Sequence, residues 1–122
     1  MEKADLDAIE WQRLYREVRE LLIYQARKNQ PIGYGRLCGR ITVLNINPTD
    51  RALHEVLGEI SVDEHIKGNG MLSVFCGFED RDINLPGNGF FKQAMELGVQ
   101  VGPQKDFVKS EREKVHQAFK RS

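Results

Sequence analysis

The segment covering residues 31–91 most constrains the fold, because apolar residues at regular spacing alternate there with breaks at proline and glycine. Within it, residues 47–60 carry a helix-start signal: Asn47 can cap the helix, Pro48 suits its first position, and Asp50 complements its positive end. Spacing of i, i+3, i+4 and i+7 predicts one buried stripe, made of Leu53, Val56, Leu57 and Ile60. The opposite face is polar and presents Asp50, Arg51, His54, Glu55 and Glu59.

Shorter elements are predicted on both sides of this helix. Before it come an extended pair at residues 32–33, a turn at 34–35 and a helix from 36 to about 41–43. After it, Ser61 can cap a short separate helical turn that ends near Ile66, which we expect to pack inward while His65 faces out. The remaining elements are a strand at 71–78, a polar hairpin tip at 79–82, a return strand at 83–85 and a proline-glycine loop at 86–89.

Two helices followed by a β-hairpin form the pattern of a winged helix-turn-helix domain, with the second helix placed to enter a groove of DNA. We therefore expect an α+β fold whose winged-helix core of two to three helices and a β-hairpin occupies residues 31–98. An amphipathic N-terminal helix, over about residues 5–28 of a segment spanning 1–30, is expected to pack on this core. Residues 90–97 are predicted to form a further helix. Residues 99–122 are predicted to form a basic C-terminal helix with a sparse apolar stripe.

Composition excludes several classes of protein. The chain has 122 residues and no apolar run near the roughly 20 residues that a membrane-spanning helix needs. Its first residues lack the basic-then-apolar order of a secretory signal, so we expect a cytoplasmic protein that does not bind a membrane. Cys38 and Cys76 are too few for a disulfide framework and lack the spacing of a zinc site. Lysine and arginine together number 18, as do aspartate and glutamate, which is not the basic balance of a typical DNA-binding domain.

No grouping of residues predicts catalysis. The histidines His54, His65 and His116 are far apart in sequence and none lies near a cysteine, so surface positions are expected rather than metal ligands. The acidic tip at 79–82 lacks the glycine and distal glutamate of a calcium loop. The loop at 86–89 precedes a helix, as anion sites do, but glycines alone favour a structural turn. The sequence therefore predicts no enzyme, no metal and no cofactor.

The order of these motifs resembles the DNA-binding domain of alkylguanine-DNA alkyltransferases and alkyltransferase-like proteins, over about residues 32–91. Residues 34–38, Tyr-Gly-Arg-Leu-Cys, match the family's Tyr-Gly-Glu-Leu-Ala, and Gly58 coincides with the second glycine of its Arg-Ala-Val-Gly-Gly-Ala-Met helix. Residues 72–78 occupy the place of the strand bearing Pro-Cys-His-Arg. The loop and aromatic pair at 85–91 also resemble those of small bacterial and phage winged-helix proteins.

The resemblance implies a winged-helix fold and DNA binding without alkyl transfer. His54 stands where the family uses an arginine to replace an extruded base, and Cys76 stands at the nucleophile's place. The neighbours of Cys76 are Phe75 and Gly77, so the histidine that would activate the thiolate is missing. A cysteine in an apolar strand has its pKa raised by burial, and we expect Cys76 to be structural.

Two functions remain open from the sequence. The first is a module that binds duplex DNA, with the hairpin as a wing and with contacts from Arg36, Arg40, Arg51 and His54. The second is a protein-interaction or regulatory module that binds a basic protein surface through an acidic helix face. Its contacts would be Asp50, Glu55 and Glu59, with Trp11 and Tyr15 as aromatic anchors at the margin of the first helix. The oligomeric state is open.

Overall fold

The computed structural model describes residues 6–121. The chain is mostly helical and carries a small parallel sheet, so the mixed α+β class is confirmed at this level. The elements in chain order are α1 (Ala8–Lys28), β1 (Ile32–Gly33), α2 (Tyr34–Arg40), α3 (Arg51–Ile66), a 3₁₀ turn (Leu72–Phe75), β2 (Cys76–Gly77), a second 3₁₀ turn (Asp82–Asn84), α4 (Asn88–Glu96) and α5 (Gln104–Phe119).

Helix α1 is the longest element and covers the centre of the molecule. Its start is fixed by a capping box, in which the Asp7 carboxylate accepts the N–H of Glu10 at 2.7 Å and the Glu10 carboxylate accepts the N–H of Asp7 at 3.2 Å. Asn29 ends it in the left-handed conformation. Of the predicted range 5–28, residue 5 lies outside the described residues. The predicted position of Trp11 at the margin is wrong, because this side chain is 5% exposed and belongs to the core.

One hydrophobic cluster joins α1 to α3, α5 and the 3₁₀ turn of residues 72–75. The predicted apolar stripe of α3 is buried in this cluster, together with apolar side chains of the neighbouring segments: Leu37, Leu53, Val56, Leu57, Ile60, Leu72, Val74 and Phe91. The predicted burial of the stripe is confirmed. Apolar spacing identifies the buried face of a segment even where the type of secondary structure is predicted wrongly. The C-terminal stripe contributes as well, through the buried Phe107, Val108, Val115 and Phe119 of α5.

The predicted β-hairpin is wrong. Residues 72–75 form a 3₁₀ turn, and β2 pairs in parallel with β1, with Ile32 opposite Cys76 and Gly33 opposite Gly77. The return strand is absent because Ile83 and Asn84 have φ angles of 52° and 53°, which no extended strand can contain. A single backbone bond, from the N–H of Phe78 to the carbonyl of Leu85 at 3.0 Å, joins the two predicted strands. The wing is therefore replaced by an irregular loop, and the winged-helix core is not confirmed.

The boundaries of α3 also differ from the prediction. Asn47 and Pro48 lie outside the helix, because the Asp50 carboxylate accepts the Asn47 N–H at 2.8 Å and closes a turn there. The predicted break at Ser61 is wrong, since its hydroxyl bonds the buried Ser73 hydroxyl at 2.6 Å and α3 continues unbroken. Ile66 does not pack inward, as its side chain is 74% exposed.

Two smaller expectations near these helices also change. Helix α2 begins at Tyr34, so the turn expected at residues 34–35 is wrong and those residues are helical. His65 is half-buried rather than fully turned to solvent. None of the helices within residues 6–121 is both long enough and apolar enough to cross a membrane.

The irregular loop is held by Arg112 of α5. Its guanidinium donates to the carbonyls of Val74, Ile83 and Asn84 at 2.9, 2.6 and 3.0 Å. The side chain is 8% exposed, so these carbonyls replace the water that a surface arginine would bind. Arg112 thus supplies the donors that a second strand would otherwise give to this segment.

We expect Leu53→Ala to lower the free energy of unfolding by about 2–5 kcal/mol, because Leu53 is fully buried and its truncation leaves a cavity. Ile66→Ala, on the same helix at an exposed position, should change it by less than about 0.5 kcal/mol. Urea denaturation of both variants measures the difference. Equal losses would show that the buried face of α3 is assigned wrongly.

Arg112→Leu should lower the free energy of unfolding by on the order of 3 kcal/mol, because three backbone carbonyls lose their donor at once. Lys109→Leu is the matched control, since it removes a cation from an exposed position of the same helix. Denaturant unfolding gives both values. Similar stability of the two variants would contradict the role assigned to Arg112.

Candidate functional site

A cavity of about 460 Å³ opens where the starts of α2 and α4 meet the middle of α3. Three aromatic side chains, Tyr34, Phe78 and Phe90, line it together with His54. We call it the aromatic cavity. These residues lie far apart in sequence, and the parallel β1–β2 pairing helps to bring Tyr34 and Phe78 together, because each directly follows one of the paired strands.

Tyr34 is fixed in the wall by several contacts. Its hydroxyl accepts the N–H of Gly87 at 3.0 Å, and its ring meets Phe78 edge-to-face with centroids 5.0 Å apart. The ring of His54 lies 5.5 Å away on another side. Burial raises the pKa of the Tyr34 hydroxyl, although the N–H of Gly87 opposes that shift. The hydroxyl therefore remains protonated at neutral pH and retains a proton to donate.

Polar groups also line the aromatic cavity. The side-chain amide of Gln93 donates to the carbonyl of Gly58 at 3.0 Å, which leaves its oxygen able to accept another bond. Gly58 allows this approach, because a Cβ there would lie 3.1 Å from Nε2 of Gln93. Nε2 of His54 is 2.7 Å from the carbonyl of Pro48, and since a carbonyl only accepts, this nitrogen carries the proton.

A cation lies next to one wall of the cavity. The guanidinium of Arg81 stands over the Phe78 ring, 4.1 Å from its centroid. Arg81 was assigned to an acidic hairpin tip by sequence, and its placement beside the cavity could not be foreseen because the hairpin itself is absent. Its exposed position leaves the outer side of the guanidinium open to solvent.

The predicted DNA contacts do not converge on one site. Arg36 and Arg40, together with Lys28, line a polar cavity of about 530 Å³ between the end of α1 and α2, which we call the basic hollow. Arg51 lies elsewhere, at the start of α3, where its side chain pairs with Glu55. His54 alone of the four predicted residues reaches the aromatic cavity.

The acidic residues predicted to bind a partner are also divided. Asp50 closes the turn before α3, and Glu55 pairs with Arg51. Glu55 and Glu59 are partly exposed. Glu59 does meet Trp11 and Tyr15 in a cavity of about 550 Å³ along α1. Tyr15, however, is half-buried and donates to the Asp63 carboxylate at 2.5 Å. Both aromatic side chains thus contribute internal contacts rather than projecting as anchors.

Cys76 lies in the core, 1% exposed, and does not line the aromatic cavity. Burial raises the pKa of its thiol, and the neighbouring Cys38 adds to the shift. The thiolate that a transfer reaction needs is therefore disfavoured at this position. Among residues 6–121, no three histidine, cysteine or carboxylate side chains are grouped as metal ligands.

Sequence reasoning missed most of the aromatic cavity. Tyr34 stood in the motif that carried the family resemblance, but Phe78 and Phe90 were assigned to a strand and to a helix without a functional role. The sequence feature that could have identified the cavity is the alternation of these aromatic residues with glycines at 33, 35, 77, 87 and 89. The backbone can approach other groups closely at glycine.

No family model, curated protein or solved structure matches this chain. Any function must therefore be argued from the cavities and charges themselves. Among these features, the aromatic cavity combines stacking surfaces with hydrogen-bonding groups, and this combination suits a planar polar ligand.

We expect Cys76 to resist alkylation by a benzylguanine probe at pH 7, because its thiol is buried and its pKa is raised. Mass spectrometry of the Cys38→Ser variant, in which Cys76 is the remaining cysteine, tests this directly. The same variant unfolded in urea should react readily with a general thiol reagent. Stoichiometric labelling of the folded protein by the probe, lost in Cys76→Ser, would establish a reactive nucleophile instead.

Proposed function

We propose that this chain is a non-enzymatic DNA-binding module that holds one extruded base in the aromatic cavity. The observation that carries the proposal is the cavity itself, with Tyr34, Phe78 and Phe90 in its walls and His54 of α3 beside it. The resemblance to the DNA-binding domain of alkyltransferase-like proteins points in the same direction, because His54 stands where that family places the residue that replaces an extruded base.

The size and chemistry of the cavity suit a base. Its volume of about 460 Å³ falls within the range of about 300–1,000 Å³ typical of small-molecule pockets. Flipped bases are held by stacking on aromatic side chains and by hydrogen bonds to their edges. The Tyr34 hydroxyl can donate, and the Gln93 amide oxygen can accept, so the cavity offers both kinds of partner.

Cations lie beside the aromatic cavity and in the basic hollow. Arg81 stacks on Phe78 beside the aromatic cavity. Arg36 and Arg40 line the basic hollow, which also includes Gly33, the residue before Tyr34. Phosphates of a strand whose base enters the cavity would meet such cations first. The lack of excess positive charge means that this electrostatic contribution is small.

The small electrostatic contribution limits the kind of DNA that the module would bind. Extruding a base costs a few kcal/mol in a paired duplex and less where the base is mismatched or damaged. A module with few phosphate contacts has little binding energy to offset this cost. We therefore propose a preference for duplexes in which one base is already poorly paired.

The non-enzymatic part of the proposal rests on Cys76. Its thiol is buried, its pKa is raised, and it lies outside the aromatic cavity. A base held in the cavity would thus meet aromatic rings and polar groups but no activated nucleophile. The residues that hold it would act in recognition alone.

The alternative, an acidic face that binds a basic protein, has less support. Glu55 is already paired with Arg51, and Asp50 is engaged in the turn before α3. The remaining carboxylate of the predicted face, Glu59, lies in the cavity along α1 beside Trp11 and Tyr15. A partner that needs all three carboxylates would find them at different places on the surface.

We expect the protein to bind a duplex with one mismatched base more tightly than a fully paired duplex of the same length. Fluorescence anisotropy at low salt measures both affinities, and a salt series gives the number of phosphate contacts. Gly89→Phe should abolish the preference, because Gly89 lines the cavity, a Cβ there meets nothing within 4 Å, and a bulky ring at the cavity wall would compete with the base. If extruding the mismatched base costs less by about 1.4 kcal/mol, the preference should be about tenfold.

Gly39→Phe is the matched control, since a Cβ at Gly39 also meets nothing within 4 Å and the residue does not line the cavity. This variant should keep the preference for the mismatched duplex. Absence of binding to either duplex at low salt would refute the proposed function. An unchanged preference in Gly89→Phe would place the base elsewhere.

A further inference from the structure

The basic hollow contains three cations that form no ion pair with a carboxylate within the described residues. The Arg36 guanidinium makes no hydrogen bond or ion pair within residues 6–121, and the Arg40 guanidinium bonds the neutral side chain of Gln25 at 3.1 Å. Lys28 stands over the Tyr24 ring, 4.8 Å from its centroid, and makes a long contact of 3.5 Å to its hydroxyl. Three positive charges thus share one polar cavity.

A buried polar side chain orients one of these cations. Gln25 is 5% exposed, and its amide nitrogen donates to the carbonyl of Gln30 at 2.8 Å. That bond fixes the amide so that its oxygen accepts from Arg40. The Arg40 guanidinium is therefore held in place on one side, while its other N–H groups remain available on the side of the hollow.

A carboxylate of the chain itself extends into the hollow. The Glu79 side chain lies across Gly33 and Gly35. A Cβ added at Gly33 would lie 1.8 Å from Cγ of Glu79, and one added at Gly35 would lie 2.6 Å from its Oε1. Its Oε1 accepts the backbone N–H of Arg36 at 3.2 Å, yet it forms no ion pair with the three cations among the described residues. The Glu79 carboxylate thus lies in the same cavity as the three cations without forming an ion pair with them.

We propose that the basic hollow is a phosphate-binding site and that Glu79 occupies part of it when no ligand is bound. Two arginine forks and one lysine match the oxygen geometry and the double negative charge of a phosphate group. The phosphate can come from a nucleic-acid strand or from a free phosphate. The first source rests on the DNA binding proposed above, whereas the second is independent of it.

The cations are tested with inorganic phosphate at constant ionic strength, followed through the backbone amide signals of Gly33, Gly35 and Arg36 by NMR. Saturable shifts are expected for the natural chain, and Arg40→Gln should weaken phosphate binding about tenfold. Arg36→Gln should do the same without affecting folding, because its guanidinium makes no hydrogen bond or ion pair within the described residues. Arg13→Gln, at an exposed position of α1 outside the hollow, is the matched control.

The role of Glu79 is tested by removing one negative charge at Glu79 and, in a separate variant, at the neighbouring Asp80. Glu79→Gln should raise the affinity for phosphate severalfold, because the competing carboxylate is removed. Asp80→Asn changes the charge equally but lies outside the hollow, so its effect should be small. Equal effects of the two variants would remove Glu79 from the proposal.

Duplex DNA binding by the same variants distinguishes the two sources of phosphate. Weaker DNA binding in Arg36→Gln and Arg40→Gln, but not in Arg13→Gln, identifies a phosphodiester. Loss of phosphate binding with DNA binding unchanged identifies a free phosphate, as does phosphate binding by a chain that does not bind DNA. Absence of saturable phosphate shifts, or equal affinity in Arg40→Gln and Arg13→Gln, overturns the site.

Discussion

The contact between Arg112 and three backbone carbonyls determines how the middle of this chain is arranged. Val74, Ile83 and Asn84 all direct their carbonyl oxygens to this guanidinium from a segment that has almost no strand pairing of its own. Buried carbonyls need donors, and a charged fork that donates to three of them can replace part of a β-ladder. The loop after β2 is thereby held against α5 rather than folded back as a hairpin.

The aromatic cavity depends on this arrangement. Phe78 follows β2 directly and is bonded through its N–H to the carbonyl of Leu85, so the loop that Arg112 holds also fixes one wall. Close packing around Gly77 adds to the constraint, because a Cβ there would lie 1.7 Å from the Asn84 carbonyl oxygen. Tyr34 and Phe78 then meet because β1 and β2 run in parallel and end at the same edge.

Electrostatics separates the two proposed sites from the rest of the surface. Two other carboxylates are used within the fold: Glu64 is buried against Arg19 at 2.9 Å, and the buried Glu111 accepts the N–H of Met71 at 2.7 Å. The guanidinium groups of Arg36 and Arg40 form no ion pair with a carboxylate among the described residues. A chain with zero formal charge can thus present a local excess of positive charge.

The sequence by itself determined the buried faces, because apolar spacing reports helix periodicity directly, as Leu53, Val56 and Ile60 show. It also determined the long first helix and the extended pair before α2. Only the tertiary structure decided that residues 72–75 turn instead of extending, and that Tyr34, Phe78 and Phe90 share one cavity. Those outcomes rest on contacts between residues far apart in the chain, such as Arg112 with Val74, and no local pattern encodes such contacts.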